Sequence, residues 1–252
     1  MKIISWNVNG IRSVYRKGFL KWLEREKPDI LCLQETKARP GQLPFDLTTL
    51  TGYHTIFNSA KRKGYSGVAV YSLEKSLKVK KQVGHKRFDR EGRFVETKFK
   101  NFTLLNFYIP HGNRDQRDIP YKLEVYDYIL NYLDNFNGEN LILCGDFNIA
   151  HKERDLARPD SNQKNTMFTE SERAQLDRLI NLGFVDSFRK FNEEGGNYSW
   201  WPYSKTAREK NVGWRIDYIF TSGTLTENLK NAFIQKEINF SDHVPVGIKI
   251  DI

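Results

Sequence analysis

The chain has 252 residues and 39% hydrophobic content, enough for a sizeable core, and it shows no Pro/Gly/Ser-rich linker, low-complexity segment or fixed-period repeat. One domain spanning 1–252 is therefore expected. Forty Lys and Arg against 31 Asp and Glu give a formal charge of +9, which favours a polyanionic partner. The two cysteines, Cys32 and Cys144, sit inside apolar runs and exclude a disulfide framework by number. No apolar run approaches membrane-spanning length and no signal peptide is read, so a cytoplasmic protein, not secreted and not in a membrane, is expected.

KIISWNVNG opens on a short strand with Asn7 and Asn9 on one face and Trp6 and Val8 on the other, broken by Gly10. Residues 16–27 carry Phe19, Leu20 and Leu23 at helical spacing, and Pro28 stops the helix. Residues 29–35 (DILCLQE) form a continuous apolar run closing on Glu35, a buried strand with an acidic tip. Residues 36–52, with Pro40, Gly41 and Pro44, read as loop. Between 53 and 109 the runs YHTIFN, GVAVYS, LKVKKQVG, RFVETKF and FTLLNFYIP predict short strands of an antiparallel or mixed sheet. The basic clusters at 61–63 and 78–81 read first as solvated turns and strand faces.

Residues 111–120 form a charged loop, and 121–136 an amphipathic helix through Leu123, Tyr126, Ile129, Leu130 and Leu133. LILCGDFN (141–148) is a buried strand ending in a polar tip, where Asp146 and Asn148, two apart, share a face. A polar stretch of 150–168 is long for a loop without a role. Thr169 and Glu172 have capping-box spacing before a helix carrying Leu176, Leu179 and Ile180 and stopped near Gly183. FVDSF, NYSWWPY, WRIDYIFTS, AFIQKEI and VGIKIDI follow as strands. There are too many strands for one short sheet, which predicts an α/β protein of two packed sheets with helices outside.

Several apolar strands share a feature: a polar tip. These are Asn7, Glu35, Tyr108, Asp146 with Asn148, Asp217 in WRIDY, and Asp242-His243 in SDHVPV. If the strands share a direction, the tips converge on one edge, where active sites are commonly assembled. Each tip alone is an ordinary turn former; Asp217 alone could pair with Arg215, and Asp242-His243 could be a satisfied turn. Together, Asn, Glu and Asp oxygens are hard ligands suited to Mg²⁺ or Mn²⁺ rather than zinc. An oxygen-rich cluster in a basic protein reads as metal-assisted phosphodiester chemistry.

The ordered set SWNVNG, LQETK, GYSGVAVYS, YIPHG, GDFN, NVGWRIDY and SDHVPV resembles the exonuclease III family of apurinic/apyrimidinic endonucleases. This family lies within the endonuclease/exonuclease/phosphatase superfamily. The resemblance runs from Ser5 to Val246. It implies a four-layer, DNase I-like α/β sandwich, two mixed sheets flanked by helices. The implied activity is a divalent-metal-dependent cut 5′ to abasic sites in double-stranded DNA, with 3′-5′ exonuclease or 3′-phosphodiesterase activity and incision at lesions such as deoxyuridine as further options. The implied cofactor is Mg²⁺, with Mn²⁺ substituting. A monomer is expected, associated with the nucleoid if the source is prokaryotic.

Carried over residue by residue, the resemblance makes Glu35 the main metal ligand, supported by Asn7, Asn9 and Asp242, with Asp146, Asn148 and His243 in the same group. Asp146 is implied to activate water and Asn148 to position water and phosphate. His243 is implied to contact the scissile phosphate, oriented by Asp217, and Tyr108 to hydrogen-bond the phosphate or leaving oxygen. Tyr65, Arg93, Asn162 and Asn165 resemble backbone-phosphate contacts. Trp200, Trp214 and Ile216 resemble an abasic-sugar pocket, for which a baseless sugar turned out of the duplex needs an apolar slot. Trp214 and Ile216 share a strand face opposite Asp217. Only one of the adjacent Trp200 and Trp201 can face the slot. Asn9 stands where some members carry Asp, and Ser204 is small where others place a bulky or cationic wedge. Two competing readings are a phosphatase or diesterase of the same superfamily and a catalytically silent DNA-binding module. The second would be expected to have lost one of Glu35, Asp146, Asp217 or His243, and all are present.

Overall fold

The computed structural model describes every residue except Asn137 and Lys205. The chain runs β1 (Lys2–Asn7), α1 (Ile11–Arg16), α2 (Phe19–Glu26), β2 (Ile30–Gln34), α3 (Phe45–Thr48), β3 (His54–Asn58) and β4 (Val68–Ser72). It continues through β5 (Lys78–Lys80), α4 (Lys86–Arg90), β6 (Phe94–Lys98), β7 (Thr103–Tyr108), α5 (Ile119–Leu133) and β8 (Leu141–Asp146). The last third holds α6 (Glu170–Asn181), β9 (Phe184–Asp186), α7 (Ser187–Phe191), β10 (Asp217–Ser222), β11 (Leu229–Ile234) and β12 (Val246–Ile250). Two six-stranded mixed sheets result, ordered β11-β12-β1-β2-β4-β3 and β5-β6-β7-β8-β10-β9.

Strand alternation sorts the side chains into layers. Ile3, Cys32, Val70, Leu104, Ile142 and Cys144 point between the sheets and form one core. Their neighbours Ile4, Trp6, Leu31 and Leu33 point out of the first sheet against Phe19 and Trp22 of α2. Leu105, Phe107 and Leu143 point out of the second sheet against Val125 and Ile129 of α5 and Leu176 of α6. Because both faces of each central strand are covered, the strands read as continuous apolar runs. This is the four-layer sandwich, helices outside and sheets inside, and both cysteines are free and buried within it.

Several boundaries differ from the sequence reading for local reasons. The helix expected from residue 16 begins at Phe19, because Gly18 (φ 105) separates it from the independent turn-and-a-half of α1. Helices α3 and α4 are four and five residues long, too short to show a helical period. FVDSF is only half strand: the Asp186 carboxylate accepts from the Phe188 and Arg189 amides and starts α7. NYSWWPY is not a strand; Trp200 makes only isolated bridges, to Trp214 and His243. The Thr169–Glu172 capping box forms as expected, starting α6.

Candidate active site

The strands do not all share a direction, and the site is the better for it. β1 runs parallel to β2 and β7 parallel to β8, so Asn7, Gln34, Tyr108 and Asp146 are their C-terminal residues, paired in register. β10 and β12 run antiparallel to β8 and β1, so Asp217 and the Asp242-His243 segment reach the same edge from N-terminal ends. Asp217 lies directly opposite Asp146. Gly145 is required just before Asp146, since a Cβ there would meet the Phe107 carbonyl oxygen at 1.9 Å.

Hydrogen bonds join the two sheet ends. The Asn7 amide nitrogen donates to Glu35 Oε1 and to Asp146 Oδ2, each at 2.9 Å. His243 bonds Asp217 Oδ2 through Nδ1 at 2.9 Å, leaving Nε2 4.0 Å from Asp146 Oδ2. Asn148 donates its backbone N–H to Asp146 Oδ1 (2.9 Å) and its side-chain amide to Asp146 Oδ2 (3.1 Å). Tyr108 is held by Arg93, with the guanidinium 4.3 Å over its ring and Nη1 donating to its carbonyl at 3.1 Å. Arg93 also donates to the Tyr65 hydroxyl at 2.9 Å, which places Tyr65 next outward from the site. Glu35, Lys37, Asn9 and Asn148 all hold left-handed backbone (φ 44 to 52), so four of the chain's positive-φ residues other than glycine gather around these carboxylates.

Ligand atoms of Glu35, Asp146 and His243 lie within 4.8 Å of one another, close enough to hold one metal ion. A cation already stands on one of these carboxylates: the Lys37 ammonium is 2.7 Å from Glu35 Oε2. The donor set is mostly carboxylate oxygen and fits a hard divalent ion. The other expected ligands ring this group, tied to its carboxylates or to one another by hydrogen bonds. The Asn7 oxygen accepts from the Asn9 amide, while its nitrogen serves the carboxylates. Asn9 is engaged by Asp242 and by Lys37, and Asp242 additionally accepts from the Trp200 indole at 3.1 Å.

The charges are unequally tolerated. Burial and the facing Asp217 push the Asp146 carboxyl up to about 7. Burial works against a charged His243, yet the Asp217 carboxylate outweighs it and lifts the imidazole to about 10, so the ring is cationic at neutral pH. Burial likewise opposes ionised Glu35, but Lys37 overcomes it and holds that carboxyl below its usual range. Burial, reinforced by Glu35, keeps Tyr108 protonated and available as a donor.

Trp214 and Ile216 are 8% and 1% exposed and pack with Leu156 and Phe168, and only the edge of Trp200 remains open to solvent in that cluster. Of the adjacent tryptophans it is Trp200 that joins this cluster; Trp201 is buried on the other side, its indole donating to Asn211. Asn162 and Asn165 lie on the 150–168 loop and bond each other at 2.7 Å, and Ser204 is exposed beyond Trp200.

Three participants escape the sequence reading. Ser199 donates to Asp217 Oδ2 at 2.6 Å and accepts from the Ile216 and Asp217 amides, fixing the carboxylate that fixes His243. Lys122, buried with Glu172, donates to the Asn148 carbonyl at 2.5 Å and braces that loop from below. Lys37 carries a visible signal, a charge two residues after Glu35 in LQETK; a single serine in a loop carries none. The pairing suggested for Asp217 with Arg215 does not form: Arg215 pairs with Asp155 and Asp186 instead.

Fold and site together define a metal-using, phosphate-directed α/β sandwich. Residues 4–243 match the endonuclease/exonuclease/phosphatase family model, and the chain belongs to that family. An exodeoxyribonuclease of Bacillus subtilis is 43% identical over all of both chains. Among solved structures, an AP endonuclease from Archaeoglobus fulgidus superposes with a TM-score of 0.91 at 31% identity, covering all of both chains. A 3′ phosphatase from Neisseria, bound to a product DNA hairpin, superposes at 0.92 with 28% identity, again over all of both chains.

Proposed function

We propose that this protein is a DNA-repair endonuclease that hydrolyses the phosphodiester 5′ to abasic sites in duplex DNA and also trims 3′ ends. The observation that carries this reading is the Asp146–His243–Asp217 alignment, with Glu35 tied to Asp146 through one Asn7 amide. Such a site needs a base for water, a cation for the phosphate and a neutral donor for the leaving oxygen, and each is within reach.

Asp146, raised to about 7, is poised to take a proton from water near neutral pH, with Asn148 holding its orientation. His243, made cationic and fixed in one orientation by Asp217, presents Nε2 to a non-bridging phosphate oxygen. Tyr108 presents its hydroxyl to the phosphate or the leaving oxygen. Glu35, with Asp146 at hand, would hold a divalent cation, since a protonated His243 has no lone pair to offer it, and the oxygen donors favour Mg²⁺ with Mn²⁺ substituting. Bound there, the ion neutralises charge on the phosphate. Trp200, backed by the buried Trp214 and Ile216, supplies an apolar wall for a sugar without its base, and Tyr65, Asn162 and Asn165 serve the flanking backbone, with the buried Arg93 holding Tyr65 and Tyr108 in place. One chain supplies every residue named, which supports action as a monomer and as a single domain.

The AP endonuclease and exodeoxyribonuclease names among its relatives support both activities of one site. The test uses three labelled duplexes, with and without chelator: one with an abasic analogue, one with a uracil, one with a recessed undamaged 3′ end. Chelator-sensitive incision 5′ to the abasic analogue is expected, with slower shortening of the recessed end. Absence of incision on the abasic duplex in the presence of Mg²⁺ and Mn²⁺ would overturn the reading.

A further inference from the structure

Outward from Tyr65 the surface opens into a cleft of about 740 Å³ between the loop after β3 and helix α4. The two segments are fastened by the Lys61 amide, which donates to the Arg90 carbonyl at 2.9 Å. Lys61 and Arg62 line it from one side and Lys86, Arg87 and Arg90 from the other. Arg87 is committed: it pairs with Glu91 and Asp118 and lies 3.7 Å over the Tyr121 ring. The remaining four are exposed and have no ion-pair partner among the described residues. Facing them are two carboxylates, Glu91, already held by Arg93 at 2.5 Å, and Glu124, beside His85 at 3.3 Å.

Unpaired like charges gathered around one concavity repel, and an ordinary solvated face would intersperse them with acids. Here the imbalance lies next to the reacting groups. Tyr65 lines the cleft and accepts a hydrogen bond from Arg93 at 2.9 Å, and Arg93 in turn stacks on Tyr108. Nucleic acid is the anion that would reach both, since each strand presents a phosphate about every 3.4 Å of helix axis. Inorganic or nucleotide phosphate would fill only part of the space.

We propose that this cleft binds the phosphate backbone of one arm of the DNA duplex, outside the phosphodiester that is cut, so that Lys61, Arg62, Lys86 and Arg90 set substrate affinity but not the chemical step. This rests on the reading that duplex DNA is the substrate, and it adds which part of the DNA is held and by which side chains.

The double variant Lys86→Ala/Arg90→Ala tests it, with Lys230→Ala/Lys249→Ala removing the same charge from β11 and β12 at the far edge of the first sheet. Binding of an abasic-analogue duplex is measured against salt in chelator, so that no chemistry intervenes. The cleft variant should lower the slope of log affinity against log salt by about 2, one for each phosphate left unneutralised, and the control should leave it unchanged. In turnover assays KM should rise with kcat within about twofold of the unmodified protein, a change expected of binding shared equally by ground and transition states. Shortening the duplex on one side of the lesion should erase the difference between variant and unmodified protein, whereas shortening the other side should preserve it. An unchanged salt slope, an equal decrease in the control, or a difference that survives truncation of each arm in turn would each overturn the proposal. Failure of the unmodified protein to cut abasic DNA would count against the enzymatic reading alone, because the salt slope is read without turnover.

Discussion

Arg215 and Asp217 are two residues apart, yet the buried charge clusters they anchor behave in opposite ways. Arg215 lies between Asp155 (2.8 Å) and Asp186 (2.7 Å), and Arg189 reaches Asp155 as well, so cations and carboxylates are matched. Burial alone would raise Asp155, but Arg215 and Arg189 pull it down to about 2. Asp217 instead shares its surroundings with Asp146 and Glu35, against one imidazole and the Lys37 ammonium. There the carboxyl of Asp146 is driven up to about 7 by burial and by Asp217. A matched cluster makes a fixed floor under the 150–168 loop. A mismatched one is held in place only because the floor and both sheets dictate its geometry, and it is ready to accept a proton or a cation.

Neutralising Asp146 should separate the two most sharply. Asp146→Asn is expected to cut turnover on an abasic duplex by about 10²–10⁴-fold, the range for a general base, while DNA binding persists. Its melting temperature should not fall, because a carboxylate facing Asp217 is removed. Near-normal turnover would take Asp146 out of the mechanism. Asp155→Asn should do the reverse. It leaves Arg215 buried with half its partners, so about 3 kcal/mol of stability should be lost, read as an earlier denaturation midpoint. Turnover at low temperature per folded molecule should stay close to that of the unmodified protein. A midpoint unmoved by this substitution would mean the Arg215 cluster is not the floor described.

How far the sequence reveals this contrast depends on range. The tips Asn7, Glu35, Tyr108, Asp146 and Asn148 stand out because each ends an apolar run whose alternation is visible locally. The layers follow from the same alternation, Ile142 and Cys144 inward and Leu143 outward. What joins the tips is not local. Strand direction decides whether Asp217 arrives at the same edge as Asp146, and a shared direction is the wrong premise, since β10 runs antiparallel to β8. Arg215 likewise chooses Asp155 and Asp186, 60 and 29 residues away, over its neighbour Asp217. No spacing in a single chain encodes that choice. Asn9 and Asp242 read as metal ligands one at a time, and only the fold shows that Lys37 bridges Asn9 to Glu35 while Asn9 and the Trp200 indole both hold Asp242.

A divalent ion should repair the mismatch and nothing else. Adding Mg²⁺ or Mn²⁺ to about one hundred times its dissociation constant should stabilise the folded protein by about 2.7 kcal/mol, seen as a rise in melting temperature. Glu35→Gln should abolish the rise, and Asp155→Asn should keep it. A rise of equal size in Glu35→Gln would place the ion elsewhere.

The smallest effect is the acid limb of the matched cluster. Asp155 titrates at about 2 in the folded protein and at about 3.9 when unfolded, so its ionised form favours the native state. That contribution is fully present above about pH 4 and is lost as pH falls through about 2, and it amounts to about 2.6 kcal/mol. Other carboxylates titrate over the same window, so the informative quantity is the gap in denaturation free energy between the unmodified protein and Asp155→Asn. The gap should narrow steadily as pH falls from about 4 to about 2, where Asp155 is half protonated in the folded protein. A gap independent of pH across that window would mean that Arg215 and Arg189 do not hold Asp155 in its charged form, and the matched cluster would lose its electrostatic basis.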